Sequence, residues 1–118
     1  MAQMIQKNLE ELNALVLSGK ALEAFKKFYH PEVVMQENAN TPTIGKETNL
    51  AREIEFFDNI EEFRGAEVLG MAVNEDKTFV IWKYDYTHKL WGVRNYTQVS
   101  VQQWKDDLIV HEQFFYGN

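Results

Sequence analysis

The sequence predicts an α+β domain, three N-terminal helices followed by a strongly curved antiparallel β-sheet. Apolar residues recur at helical spacing through the first half of the chain, and the period changes to two from Gly65 onward. The later segments are joined by connections too short for the crossover that parallel strands need. Helices first and strands second, without alternation, define the α+β class.

Ile5, Leu9, Leu12 and Val16 fall on one face of a first helix that ends at Ser18-Gly19. Leu22, Phe25 and Tyr29 form the stripe of a second, shorter helix. Pro31 stops it, because the residue before a proline is pushed out of the helical region. Glu32 to Glu37 reads as a short strand through Val33, Val34 and Met35, and Asn38 to Gly45 has the composition of a loop. A third helix starts near Lys46, with Leu50, Ile54, Phe57 and either Ile60 or Glu61 on its stripe and Phe56 and Phe63 flanking. Ile5, Leu9, Leu12, Leu50, Ile54 and Phe57 are therefore expected to be buried. Four long strands follow at about 66–73, 78–89, 94–105 and 108–116, separated by Asn74-Glu75-Asp76-Lys77, by a turn near Trp91-Gly92 and by Asp106-Asp107.

Strand alternation then assigns faces. If the turns near Trp91-Gly92 and at Asp106-Asp107 are both tight, Trp82, Tyr84 and Tyr86 share the inner face with Thr97, Val99 and Val101. Val110, Glu112, Phe114 and Tyr116 join them. The opposite face carries Lys83, Asp85, Thr87, Gln98, Ser100, Gln102, His111 and Gln113 and meets solvent or a polar partner. On it Tyr96, Trp104, Ile109 and Phe115 add apolar area, so a homodimer through the outer face is expected.

Composition narrows the function. With 118 residues the chain is read as a single domain spanning 1–118. The absence of Cys removes disulfides, thiolate zinc sites and thiol chemistry and fits a reducing compartment. A formal net charge of −6, with no cluster of Lys or Arg, argues against nucleic acid as a partner. Met1 to Leu12 mixes polar and apolar residues, unlike the core of a secretory signal, and no stretch approaches the ~20 apolar residues of a membrane span. A cytoplasmic location follows as the expectation. His30, His88 and His111 show no metal-ligand spacing, and no Gly-rich phosphate loop or nucleophile elbow occurs, so neither metal nor cofactor is expected. The aromatic content of 14% exceeds what a minimal core needs and crowds into the C-terminal half, where it could wall a pocket.

A helical start, then Phe28-Tyr29-His30-Pro31-Glu32-Val33-Val34-Met35-Gln36-Glu37, then Gly45-Lys46-Glu47 opening a helix, resembles the SnoaL-like branch of the nuclear transport factor 2-like superfamily. Gln103-Trp104-Lys105-Asp106-Asp107-Leu108-Ile109-Val110 followed by Phe114-Phe115-Tyr116 is similar to that family's closing hairpin, with Asp107 where Gly is usual. The resemblance covers essentially the whole chain. It implies a cone-shaped domain of the ketosteroid isomerase-like kind, a pocket between sheet and helices, and frequent dimerisation through the sheet. It implies no single chemistry, since its members include isomerases, cyclases, dehydratases and non-catalytic domains. Of the steroid-isomerase machinery, the general-base carboxylate matches Glu37. The first-helix phenol has no counterpart around Asn13, and the second acid falls at Ser100 or Val101, neither of which can act as one.

Glu37 is accordingly the candidate catalytic residue or polar anchor. Trp82, Tyr84, Tyr86, Val101, Glu112, Phe114 and Phe57 are the candidate ligand-binding residues. Two carboxyls in one apolar cavity, Glu37 and Glu112, can hold different pKa values and divide acid and base work. The expected ligand is a small, largely apolar organic molecule. Two outcomes stay open: an isomerase, cyclase or dehydratase using a carboxylate base, or a non-catalytic sensing or dimerisation module whose cavity is filled by its own aromatics.

Overall fold

The computed structural model describes residues 2–117. In chain order the elements are α1 (Ala2–Leu17), α2 (Ala21–Phe28), β1 (Tyr29–Glu37), β2 (Thr43–Ile44), α3 (Lys46–Asp58), β3 (Ile60–Asn74), β4 (Lys77–His88), β5 (Gly92–Lys105) and β6 (Leu108–Tyr116). The strands form one sheet in the order β2-β1-β6-β5-β4-β3. Every neighbouring pair is antiparallel except β1 and β6, which run parallel. The three helices and the antiparallel body of the sheet are those expected from sequence. No helix among the described residues is long and apolar enough to cross a membrane.

Curvature has a local source. β3 slips register against β4 three times along its length, and each bulge bends the strand and increases its twist. The sheet thereby wraps the helices, and the apolar residues pack at its closed end. There Ile5, Leu9 and Leu12 of α1 and Phe25 and Phe28 of α2 meet Val33, Val80, Trp104 and Ile109, all nearly or fully buried. Phe28 sits edge-on to Trp104 with ring centroids 6.2 Å apart, and Phe25 stacks on Tyr29 at 4.6 Å. A buried aromatic or branched side chain here contributes about 1.5–3 kcal/mol.

Several expectations change. Tyr29 begins β1 instead of ending α2, and the loop after Glu37 contains the short strand β2. β3 starts at Ile60, so Ile60 to Phe63 are strand residues and not the end of a helix. α3 is rotated relative to its expected stripe: Asn49 is its buried residue, Leu50 and Phe57 are half-buried, and Ile54 is 40% exposed.

The largest correction concerns β5. Its connection to β4 is three residues, Lys89 to Trp91, closed by His88 opposite Gly92, whose φ is +77°. One extra residue reverses every side chain that follows. Gln98, Ser100 and Gln102 therefore face inward and are buried, while Thr97, Val99 and Val101 turn outward. Trp104 and Ile109 belong to the core and Tyr96 faces the interior of the cone, leaving Phe115 as the one exposed member of the expected dimer patch.

The β5–β6 hairpin turns through Asp106 and Asp107, both at positive φ, 53° and 67°. Such a turn suits Asn-Gly, because an ordinary side chain in the left-handed region costs about 1–2 kcal/mol. Asp tolerates that region better than most residues but less well than Gly. Asp107→Gly is expected to raise stability by about 0.5–1 kcal/mol. Urea unfolding should show a higher midpoint at unchanged slope; a lower midpoint would mean the Asp107 side chain contributes a contact that outweighs the strain.

Candidate functional site

Between the concave face of the sheet and the helices lies a cavity of about 1340 Å³. β4 contributes Trp82, Tyr84 and Tyr86 to its wall, and β5 contributes Tyr96, Gln98, Ser100 and Gln102. Glu112, Phe114 and Tyr116 come from β6, Tyr29, Met35 and Glu37 from β1, and Arg52, Glu53, Phe56 and Phe57 from α3. Phe63, Leu90 and Trp91 also line it and remain more than half exposed, marking its open side. Glu37, Phe57, Trp82, Tyr84, Tyr86, Glu112 and Phe114 are thus brought together as the sequence suggested. Val101 is not, because the reversal of β5 sends it to the other face, in register with Phe79 and Gln113.

Glu112 anchors the polar part of the wall and is 2% exposed. Tyr29 donates a hydrogen bond to its Oε1, and Gln102 Nε2 donates to its Oε2 at 2.7 Å. Behind Gln102 the chain of donors continues: Thr78 Oγ1 donates to Gln102 Oε1 at 2.6 Å, and Trp104 Nε1 donates to Thr78 Oγ1 at 2.9 Å. Every donor points toward the carboxyl, yet burial outweighs them and pushes Glu112 up to about 7. Tyr29 in turn is raised by burial and by the charge of Glu112.

Glu53 is the residue that sequence reading missed. Asn49, one turn earlier on α3, donates from Nδ2 to the carbonyls of Gly45 at 2.8 Å and Thr43 at 3.0 Å, pinning the helix start against β2. That fixes the helix rotation and turns Glu53 into the cavity. No described residue hydrogen-bonds its carboxyl. Burial, then the charges of Glu112 and Glu37, push it up to about 7, against a smaller opposing effect of Arg52.

Glu37 is tethered differently. Tyr116 donates to its Oε1 at 2.6 Å, and Arg52 Nη2 reaches its Oε2 at 3.2 Å, with 40% of the Glu37 side chain exposed at the cavity edge. Burial and this bond push Tyr116 up to about 12. The hydroxyls of Tyr86 and Tyr96 lie 2.9 Å apart, while that of Tyr84 has no partner among the described residues. Burial raises Tyr84 and Tyr96, so both stay hydrogen-bond donors at any ordinary pH. The arrangement therefore combines a free carboxyl, a fixed carboxyl, a tethered carboxyl and neutral phenols on one aromatic wall.

The raised carboxyls make stability depend on pH. Between the ordinary value of 4.5 and about 7, Glu53 and Glu112 hold protons in the folded chain that the unfolded chain has released. Their contribution is most favourable at the acid end of that window and declines as pH rises through 7, by about 3 kcal/mol for one fully affected carboxyl. Glu53→Gln removes the charge without removing a hydrogen bond. It is expected to raise stability at pH 8 by about 1–3 kcal/mol and to change little at pH 4.5. Urea titrations at both pH values check this; a variant no more stable than the parent at pH 8 would show Glu53 to be solvated.

No family model matches the sequence, and no curated protein matches it. Solved structures do. A candidate SnoaL-like polyketide cyclase from Mesorhizobium loti superposes with a TM-score of 0.86 at 24% identity, covering 95% of this chain and 98% of that one. A second such candidate, from Jannaschia sp. CCS1, gives 0.83 at 11% identity over 98% and 86% of the two chains. A hypothetical protein of ketosteroid isomerase-like fold from Catenulispora acidiphila, in complex with trimethylamine, gives 0.74 at 13% identity over 91% and 83%. The helices and the bulged sheet thus adopt the nuclear transport factor 2-like fold that these structures share.

Proposed function

We propose that the chain binds a small, largely apolar organic molecule in the cone and moves a proton on it through Glu53, as an isomerase, cyclase or dehydratase would. The observation that carries this reading is the unpartnered Glu53 carboxyl, raised to about 7, inside an aromatic-walled cavity. A base poised near ambient pH has both the right protonation state and adequate driving force. Glu112, with both oxygens engaged, holds the electrostatic environment, and Glu37, tied to Arg52 and Tyr116, serves as the polar anchor at the edge. Tyr84 can donate to an oxygen that gains charge as the proton leaves.

The open volume of about 1340 Å³ supports a ligand over a cone filled by its own aromatics. The Catenulispora protein of this fold, solved in complex with trimethylamine, supports the reading that a chain of this fold takes a small organic molecule. Association into a homodimer, if it uses the sheet, falls to the cross-strand row Ile81, Val99 and Phe115, in which Ile81 is 39% and Phe115 43% exposed. Light scattering is expected to give twice 13.9 kDa for the parent and a single chain mass for Ile81→Lys; a parent of single chain mass would remove the dimer.

Deuterium exchange at the carbon beside the carbonyl of α-tetralone, followed by mass spectrometry, tests the proton transfer. The expected rate exceeds that of buffer, rises with pH to a plateau above about 7, and falls roughly a hundredfold in Glu53→Gln. Loss of exchange in Glu37→Gln with Glu53→Gln unaffected would move the base to Glu37. Binding of the ketone without any exchange would favour the sensing module.

A further inference from the structure

We infer that the molecule this cavity selects is an organic cation, a protonated or quaternary amine, whose charged head lies among Glu53, Glu112 and Glu37 while its apolar body rests on Trp82, Tyr84 and Tyr96. The inference rests on the reading that the cavity binds a small organic molecule and names its class.

Charge is the first argument. Six glutamates line the cavity against three cations, Lys20, Arg52 and Arg94. The two arginines are occupied elsewhere: Arg52 bonds Thr43 and Glu37, and Arg94 lies over the Tyr96 ring at 4.9 Å. Neither forms an ion pair with Glu53 or Glu112, and Arg52 acts on Glu53 only through its charge. Tyr29 and Gln102 give Glu112 hydrogen bonds but no charge. Deep in the cavity, then, two carboxyls lack a positive partner, and a buried carboxylate without one is strongly disfavoured.

The walls supply the second argument. Trp82 and Tyr84 stack with centroids 5.5 Å apart, and Tyr84 and Tyr96 lie 5.9 Å apart at a tilt. Aromatic faces attract cations, most strongly where water is excluded, and the Tyr96 ring already holds Arg94 over one face. Size and spacing decide between kinds of cation. Among the described residues no three His, Asp or Glu side chains gather closely enough to hold a metal ion. A cavity of about 1340 Å³ is also far larger than an ion requires. An ammonium carried on a carbon frame fills more of this volume than a bare ion and covers the aromatic wall as well.

Proton linkage follows. Glu53 is faced by Arg52 on its own helix, by Glu37 and Tyr29 from β1, by Tyr84 from β4 and by Glu112 from β6. A cation entering this set favours the carboxylate form, so binding releases protons and strengthens as pH rises. It also holds Glu53 in the ionised state that a base requires.

Tryptophan fluorescence titration with phenyltrimethylammonium, its neutral isostere tert-butylbenzene and the anion benzoate tests the class. At pH 8 the cation should bind about tenfold or more tighter than the isostere. At pH 5.5 that preference should fall to within about threefold, because Glu53 and Glu112 are then protonated. Glu53→Gln and Glu112→Gln, each confirmed to unfold cooperatively with the circular-dichroism spectrum of the parent, should lose most of the preference while binding tert-butylbenzene as before. Equal binding of cation and isostere at pH 8, or tighter binding of benzoate, overturns the cation and leaves the pocket reading intact. If none of the three binds at millimolar concentration, the pocket reading and the cation fail together.

Discussion

One chain of hydrogen bonds holds this fold to its shape. From Trp104 through Thr78 and Gln102 to Glu112, and from Tyr29 back to Glu112, it links β5, β4, β6 and β1. The parallel β1–β6 pair is the one joint of the sheet whose strands are far apart in sequence, and it slips register between Tyr29 and Val34. Parallel pairing gains slightly less per residue than antiparallel pairing. The Tyr29–Glu112 bond crosses that joint where the backbone ladder is irregular. It also brings the end of α2 against the core, since Tyr29 stacks on Phe25. A buried network is worth having only when every member is satisfied, and here Thr78, Gln102 and both Glu112 oxygens are each engaged by another member.

How much of this could be read from the sequence depends on loop length more than on residue type. The helices, the four long strands and the inward set Trp82, Tyr84 and Tyr86 were legible because apolar periodicity carries them. β5 was not, because its inner residues are Gln98, Ser100 and Gln102 and its outer ones Thr97, Val99 and Val101. By hydrophobicity that strand is inside out, and only the three-residue connection at Lys89 to Trp91 decides the matter. Glu112 was nevertheless assigned to the correct face. A second slip, between Gln103 and Trp104 on the pairing with β6, reverses the parity again. Two shifts of one residue cancelled, one at the β4–β5 turn and one at a bulge in the β5–β6 ladder beyond the expected Asp106-Asp107 turn.

The same logic explains α3. Burying Leu50, Ile54 and Phe57 would be correct for a helix lying on a filled core. This helix faces a cavity over much of its length, and what it turns inward is Asn49, Glu53 and Phe56. Asn49 could have been suspected, because a short amide near a helix start readily ties backbone carbonyls. Glu53 carried no signal by itself. A single glutamate among Arg52, Glu55 and Asp58 looks like part of a solvated face, and only the tether of the helix start distinguishes it.

Stability and site are consequently separated along the cone. The closed end holds Leu9, Phe28, Val33, Val80, Trp104 and Ile109, packed and nearly dry. The wide end holds carboxyls, phenols and empty volume, all of which a fold selected for stability alone would replace with aliphatic side chains. Raised carboxyls belong to that second region, and their cost is tolerable because the first region is complete without them. Glu112 stands at the boundary: through Gln102 and Thr78 its hydrogen bonds run back into the core, while its charge acts on Glu53 and Tyr84 across the cavity. A substitution there disturbs both regions, whereas Glu53 belongs to the cavity alone, and this is why Glu53 separates what the fold needs from what the site does.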